Sequence, residues 1–276
     1  RKVNNNEINK ILLLASVMLM AVACQKDDTT PAPTPTPGGD VCFGGQLEEN
    51  AVTRTIYGDE VTGEGGAYSF PILWLNTDKV FIASPQCRED FTSGTFGVPA
   101  EADHRNYAGT FIKESGAIQW GSTDADFYSI YPQRDGDYEV KTASDFSATK
   151  ATFELNMPES QTCIVEGATP VMTTADMNAC FMYAKNAGVE NGTSPVTLQF
   201  KPLSTAIRFT LRGPDSQLYS SAVSISRIRL IGPSGAALSG KFNVNLNGAT
   251  PVVTAAGNNS NIVTIYAKYD NDAYLQ

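Results

Sequence analysis

Val196-Thr-Leu-Gln-Phe200 alternates apolar and polar side chains, and so does Ile207-Arg-Phe-Thr-Leu211. A two-residue period puts one set of side chains on each face of an extended strand, an arrangement that a helix does not satisfy. From Gln46 onward further strand candidates are Val52–Ile56, Val80–Ser84, Tyr107–Ile112, Phe127–Tyr131, Lys150–Leu155, Phe181–Ala184, Ile225–Ile231, Phe242–Leu246 and Ile262–Lys268. Turn-forming residues separate them, as in Gly58-Asp59, Asp135-Gly136-Asp137, Gly213-Pro214, Gly232-Pro233 and Asn247-Gly248. Many short strands with turn signals between them predict an all-β chain of sandwich or barrel type. The polar stretch Asn186–Ser194 separates a longer block from a shorter one, so two β-sandwich domains are expected, over 46–189 and 190–276.

Composition removes several function classes. The chain has 276 residues, 42% of them hydrophobic, enough to fill substantial cores. Its 20 Lys+Arg against 29 Asp+Glu leave a formal charge of −9, and nucleic-acid binding, which draws on clustered cations, is not expected. A single histidine, His104, rules out a His-rich metal site and argues against a His-based triad. It lies in the polar segment Glu101–Asn106 and is read as a surface residue. With no placed acid–base pair, the chain is expected not to be an enzyme and to need no cofactor or metal.

The first residues are an address. Arg1, Lys2 and Lys10 precede the apolar run Ile11–Ala23, which ends in Ala21-Val22-Ala23-Cys24. A basic start, a short apolar stretch and small residues before a cleavage point describe a secretory signal. As a helix the run would span only about 20 Å, short of a bilayer core of about 30 Å. Cysteine after the small residues makes this a lipobox over 1–23, cut between Ala23 and Cys24 with Cys24 lipidated. Arg rather than Met at position 1 leads us to expect a fragment at this end.

Residues 24–45 are expected to form a tether. Thr29–Asp40 reads TTPAPTPTPGGD, and its alternating prolines favour polyproline II, holding a body about 35 Å from the lipid. Gln25-Lys26-Asp27-Asp28 resembles the signal by which some Gram-negative bacteria send lipoproteins to the outside of the outer membrane. Beyond Cys24, Cys42, Cys87, Cys163 and Cys180 remain, and no spacing selects one of their three pairings.

Several motifs have bland readings that fit better. Gly235-Ala-Ala-Leu-Ser-Gly-Lys241 has phosphate-loop spacing, but Phe242 stands where a magnesium ligand belongs, and a strand pattern follows where a helix should start. A β-hairpin turn is expected there. The doublets Asp124/Asp126, Asp135/Asp137 and Asp270/Asp272 never extend into a calcium loop and are read as solvated turns. Trp74 and Trp120 are expected in the core rather than stacked on sugar.

The order of these segments resembles the fimbrillins, lipoprotein-derived subunits of type V pili. The matching residues are Cys24, Thr53-Arg54-Thr55, Trp74 with Asp78-Lys79-Val80, Phe127-Tyr-Ser-Ile-Tyr-Pro132 and Met157-Pro158 before Gln161-Thr162. Asp176-Met177 with Met182-Tyr183-Ala184, then Val196–Ile207, then Gly235–Phe242 complete the series. Thr77 and Pro202 depart from it, where the family often has Gly and His or Arg. The resemblance implies two transthyretin-like sandwiches, the second expected to be incomplete in this chain. It also implies clipping between Arg54 and Thr55, loss of a first strand, expected at about Gln46–Thr55, and replacement by a strand from another subunit. The expected role is then a structural subunit or adhesin of a pilus at the outer membrane and cell surface. Its partners would be other pilus subunits, the membrane through the lipid, and host or glycan ligands. The alternative is a monomeric glycan-binding surface lipoprotein using exposed aromatics.

Overall fold

The computed structural model describes residues 38–47, 56–57, 61–62, 68–69, 72–103, 105–166, 171–174, 176–207, 209 and 226–269. All belong to one compact unit, residues 35–276. The expected sites Ala23, Cys24, Gln25, Lys26, Asp27, Asp28, Arg54 and Thr55 lie outside the described residues, as do His104, Asp270 and Asp272.

The described residues contain strands and short 3-10 turns but no α-helix. The strands of the first half are β1 Phe43–Leu47, β2 Ile56–Tyr57, β3 Val61–Thr62, β4 Tyr68–Ser69, β5 Ile72–Leu73, β6 Lys79–Ala83, β7 Thr92–Gly97, β8 Tyr107–Thr110, β9 Ile112–Ile118 and β10 Ala125–Tyr131. Those of the second half are β11 Lys141–Thr142, β12 Thr152–Met157, β13 Ser160–Glu166, β14 Val171–Thr174, β15 Met182–Val189, β16 Val196–Pro202, β17 Arg227–Ile231, β18 Ser239–Asn245, β19 Val252–Ser260 and β20 Ile262–Tyr269.

Eight strands form the main sheet, in the order β8-β1-β16-β15-β10-β6-β7-β9. Its two edge strands, β8 and β9, are joined through the single residue Phe111, so the sheet nearly closes into a barrel. Alternation fills the interior: Val196, Leu198 and Phe200 of β16 are buried, while Gln199 and Lys201 are exposed. Trp74 sits at the centre, edge-to-face with Phe111, Tyr131 and Phe200 at centroid distances of 5.8, 5.8 and 5.4 Å. Trp120 is buried too, against Phe127. Both tryptophans are core, as expected.

β10 is buried on both faces. Phe127 and Tyr131 belong to the interior cluster, whereas Tyr128 and Ile130 belong to a second core with Phe153, Leu155, Val244 and Leu246. Those residues come from a four-stranded sheet, β11-β12-β18-β19, which thereby covers the outer face of the main sheet. A further sheet runs β14-β13-β20-β17. The boundary expected near 190 falls in the β15–β16 connection, and strands from both sides of it pair in each of these three sheets.

Some expectations need correcting. Ile207 is exposed and outside any strand, and Phe209 is likewise not in a strand, so no strand starts at Ile207. The Gly235 segment does hold a turn, with the Ala236 amide donating to the Pro233 carbonyl, and no helix follows. It is not a hairpin, however: β17 and β18 belong to different sheets. Asp126 is less a solvated turn residue than a clamp, accepting from the Gly188 amide at 2.7 Å and the Gln86 side chain at 3.2 Å. Cys87, Cys163 and Cys180 are buried and Cys42 is exposed.

Candidate functional site: the first-strand slot

Residues expected to end a tether instead enter the main sheet. Asp40 already bridges to Gln119, and the Val41 amide donates to the Ile118 carbonyl at 2.8 Å. β1 then runs between two partners. It pairs parallel with β16, from Phe43 opposite Val196 to Leu47 opposite Phe200. On its other side it pairs antiparallel with β8, with Gly44 opposite Thr110 and Gly45 opposite Gly109. The Val196 amide donates to the Cys42 carbonyl at 2.9 Å, and the Phe111 amide to the Phe43 carbonyl at 2.7 Å.

The local sequence explains the fit. With a period of two, Phe43, Gly45 and Leu47 share the inward face. Phe43 and Leu47 are each 1% exposed, and Phe43 meets Phe96 and Phe127 edge-to-face, both at 5.2 Å. Gly45 lies under Phe111, whose ring occupies the space a methyl group would need. Gly44 approaches β8 so closely that an added Cβ would lie 2.6 Å from the Gly109 carbonyl oxygen. Large-small-large on the inward face is thus what the slot accepts.

Withdrawing β1 would expose two fully buried side chains, each worth about 1.5–3 kcal/mol of burial. It would also leave the facing edges of β16 and β8 without hydrogen-bond partners, and unmade backbone pairing is costly in a site closed to water. An empty slot is therefore strongly disfavoured relative to one holding any extended segment of the right pattern. The first strand expected at about Gln46–Thr55 is short, interrupted by Glu48, Glu49 and Asn50, and cheap to remove. The described strand starts earlier, is interior to the sheet, and carries larger side chains.

Arg88, Arg105 and Arg134, the other arginines in loop-like sequence, are each held by contacts within the fold. The Arg88 amide donates to the Gln119 carbonyl at 2.9 Å, and the Arg105 carbonyl accepts from the Trp74 amide at 2.7 Å. Arg134 is half-buried, its guanidinium 4.8 Å from the Tyr138 ring centre, and burial lowers its pKa. Of the three, Arg134 offers a protease the least access, while the side chains of Arg88 and Arg105 are exposed.

Three of the residues that the resemblance rests on, Trp74, Asp78 and Tyr131, meet in the core. The Asp78 carboxylate accepts from the Leu75 amide at 2.6 Å and from the Tyr131 hydroxyl at 3.1 Å, beside Trp74. Their contacts are packing and hydrogen bonding within the core. No protein-family model, curated protein or solved structure matches the chain.

Proposed function

We propose that the chain is a structural subunit or adhesin of a cell-surface pilus, made as a lipoprotein anchored through Cys24 and assembled by strand exchange after cleavage between Arg54 and Thr55. The observation that carries this reading is the seating of β1. It is a separable segment at the start of the folded unit, paired on both sides and holding the interior closed with Phe43 and Leu47. The Thr53-Arg54-Thr55 triplet follows it in sequence. Cutting there would leave β1 held by non-covalent contacts alone, ready to be replaced by a strand of equal or better fit. Strand addition of this kind draws affinity from main-chain pairing and specificity from alternate side chains. One such contact repeated without closure builds a filament.

In this reading the fold corresponds to transthyretin-like sandwiches, the protein is not an enzyme, and it acts at the outer membrane and cell surface with other subunits as partners. The alternative, a glycan-binding surface lipoprotein, gets no platform from Trp74 and Trp120, which are both buried, although Tyr107, Tyr138 and Tyr266 are exposed. The test is N-terminal sequencing of the protein recovered from the cell surface. A start at Thr55 supports the proposal, and a chain still beginning at Cys24 rejects processing.

A further inference from the structure

β15 and β16 are neighbours in the main sheet, yet they pair only at Met182–Pro202 and Tyr183–Lys201. Beyond that point the Asn186 side-chain amide takes over, donating to the Thr197 carbonyl at 2.8 Å. The outward side chains along this seam, with the 247–251 connection between β18 and β19, enclose a groove of about 400 Å³. Tyr183, Lys185, Asn186, Thr197, Gln199 and Lys201 supply its polar lining.

Charge distinguishes this groove. Among the lysines whose side chains are described, Lys79, Lys113, Lys141 and Lys150 each pair with a carboxylate. Lys185, Lys201 and Lys241 do not, and Lys185 and Lys201 share the groove. No described carboxylate lines it, in a chain whose acidic residues outnumber basic ones 29 to 20. Lys185 is held in place by neutral acceptors, donating to the carbonyls of Asn247 at 2.7 Å and Gly248 at 3.3 Å. Its charge is therefore fixed in position and not cancelled.

We propose that this groove binds an anionic saccharide, a sugar unit bearing a carboxylate or a sulfate. The volume lies within the usual range for a small-molecule site. Two ammonium groups suit the anion, the amides of Asn186 and Gln199 suit hydroxyls, and the Tyr183 ring with Pro251 suits the apolar face of a sugar. An acidic peptide fits less well. An extended peptide adding to the strand edge that faces the seam would need main-chain acceptors there, and the Asn186 side chain already takes the Thr197 carbonyl. The site belongs to the uncleaved chain, so it stands apart from strand exchange and is tested without it.

The test is calorimetric titration of the whole uncleaved chain with four probes: a glucuronate-containing disaccharide, its sulfated form, a neutral disaccharide and a glutamate pentapeptide. At least one charged sugar should bind at least tenfold more tightly than the neutral one, and which does so separates carboxylate from sulfate. Lys201→Gln, which removes an exposed side chain without a structural bond, should weaken binding at least fivefold; Lys185→Gln should do the same. Lys241→Gln, an unpaired lysine outside the groove, should leave it unchanged. Added salt should weaken binding, as for exposed charges. No binding at millimolar concentration, equal binding of the neutral sugar, preference for the pentapeptide, or an equal loss in Lys241→Gln would each overturn the assignment.

Discussion

The Tyr131 hydroxyl donates to Asp78 Oδ1 at 3.1 Å inside the main sheet, joining the end of β10 to the turn before β6. Asp78 also holds that turn itself through the Leu75 amide, at 2.6 Å. One carboxylate thus ties a loop that carries Trp74 to the strand shared by both cores.

This bond has an alkaline consequence. Burial, then the Asp78 carboxylate, pushes the Tyr131 phenol well above its usual range. Burial, with the Asp126 carboxylate, pushes Tyr128 up to about 12. In the unfolded chain both ionise near about 10, so above that pH the unfolded state sheds protons the folded state retains. These two groups leave stability unchanged below pH about 10 and lower it progressively as pH rises from there. The urea midpoint followed against pH should show that fall, and Tyr131→Phe should make it shallower. At neutral pH the same substitution should cost about 1.5–3 kcal/mol, for one hydrogen bond to a charged acceptor.

The close passage of β1 sets a second expectation. Gly44→Ala meets the Gly109 backbone and Gly45→Ala meets the Phe111 ring. Each should destabilise by about 1–3 kcal/mol, the usual range for overpacking. Denaturant midpoints decide it; wild-type stability in both variants would mean that β1 is not seated between β8 and β16 as described.

Phe43→Ala removes the largest side chain of β1 and should cost about 3–5 kcal/mol in the intact chain. After cutting with an arginine-specific protease, the same variant should lose its β1 fragment faster than wild type. A fluorescent peptide spanning 41–47 should enter the cut wild-type chain but not the uncut one, read by anisotropy. Incorporation into both would show that the slot opens without cleavage.

Lipidation is tested separately. Palmitate labelling of the expressed chain should disappear in Cys24→Ala, because acylation at that cysteine is the expected anchor. Labelling that survives the substitution would remove the lipobox reading.

Strand identity was legible wherever side chains alternate or cluster: β6, β10, β15, β16 and β20 all fall on segments chosen for their apolar period. The missed strands have reasons. β7 reads TSGTFG and β1 reads FGGQL, where glycines look like linker but serve close strand approach. β19, VVTAAGNNS, is exposed along most of its length and so carries no buried face to mark it. The pairing of β1 with β16 is parallel and joins segments far apart in the chain, which no local pattern encodes. For the same reason, the grouping of Lys185 with Lys201 was invisible until β15 and β16 were placed side by side.

The central claim is that β1 leaves its slot and another strand takes its place. Peptide-level hydrogen exchange on protein recovered from the cell surface tests it most directly. The account predicts that no peptide covering Phe43–Leu47 is recovered while the amides of β16 and β8 stay protected, held by a strand from elsewhere. Recovery of Phe43–Leu47, still in the chain and itself protected, would contradict it.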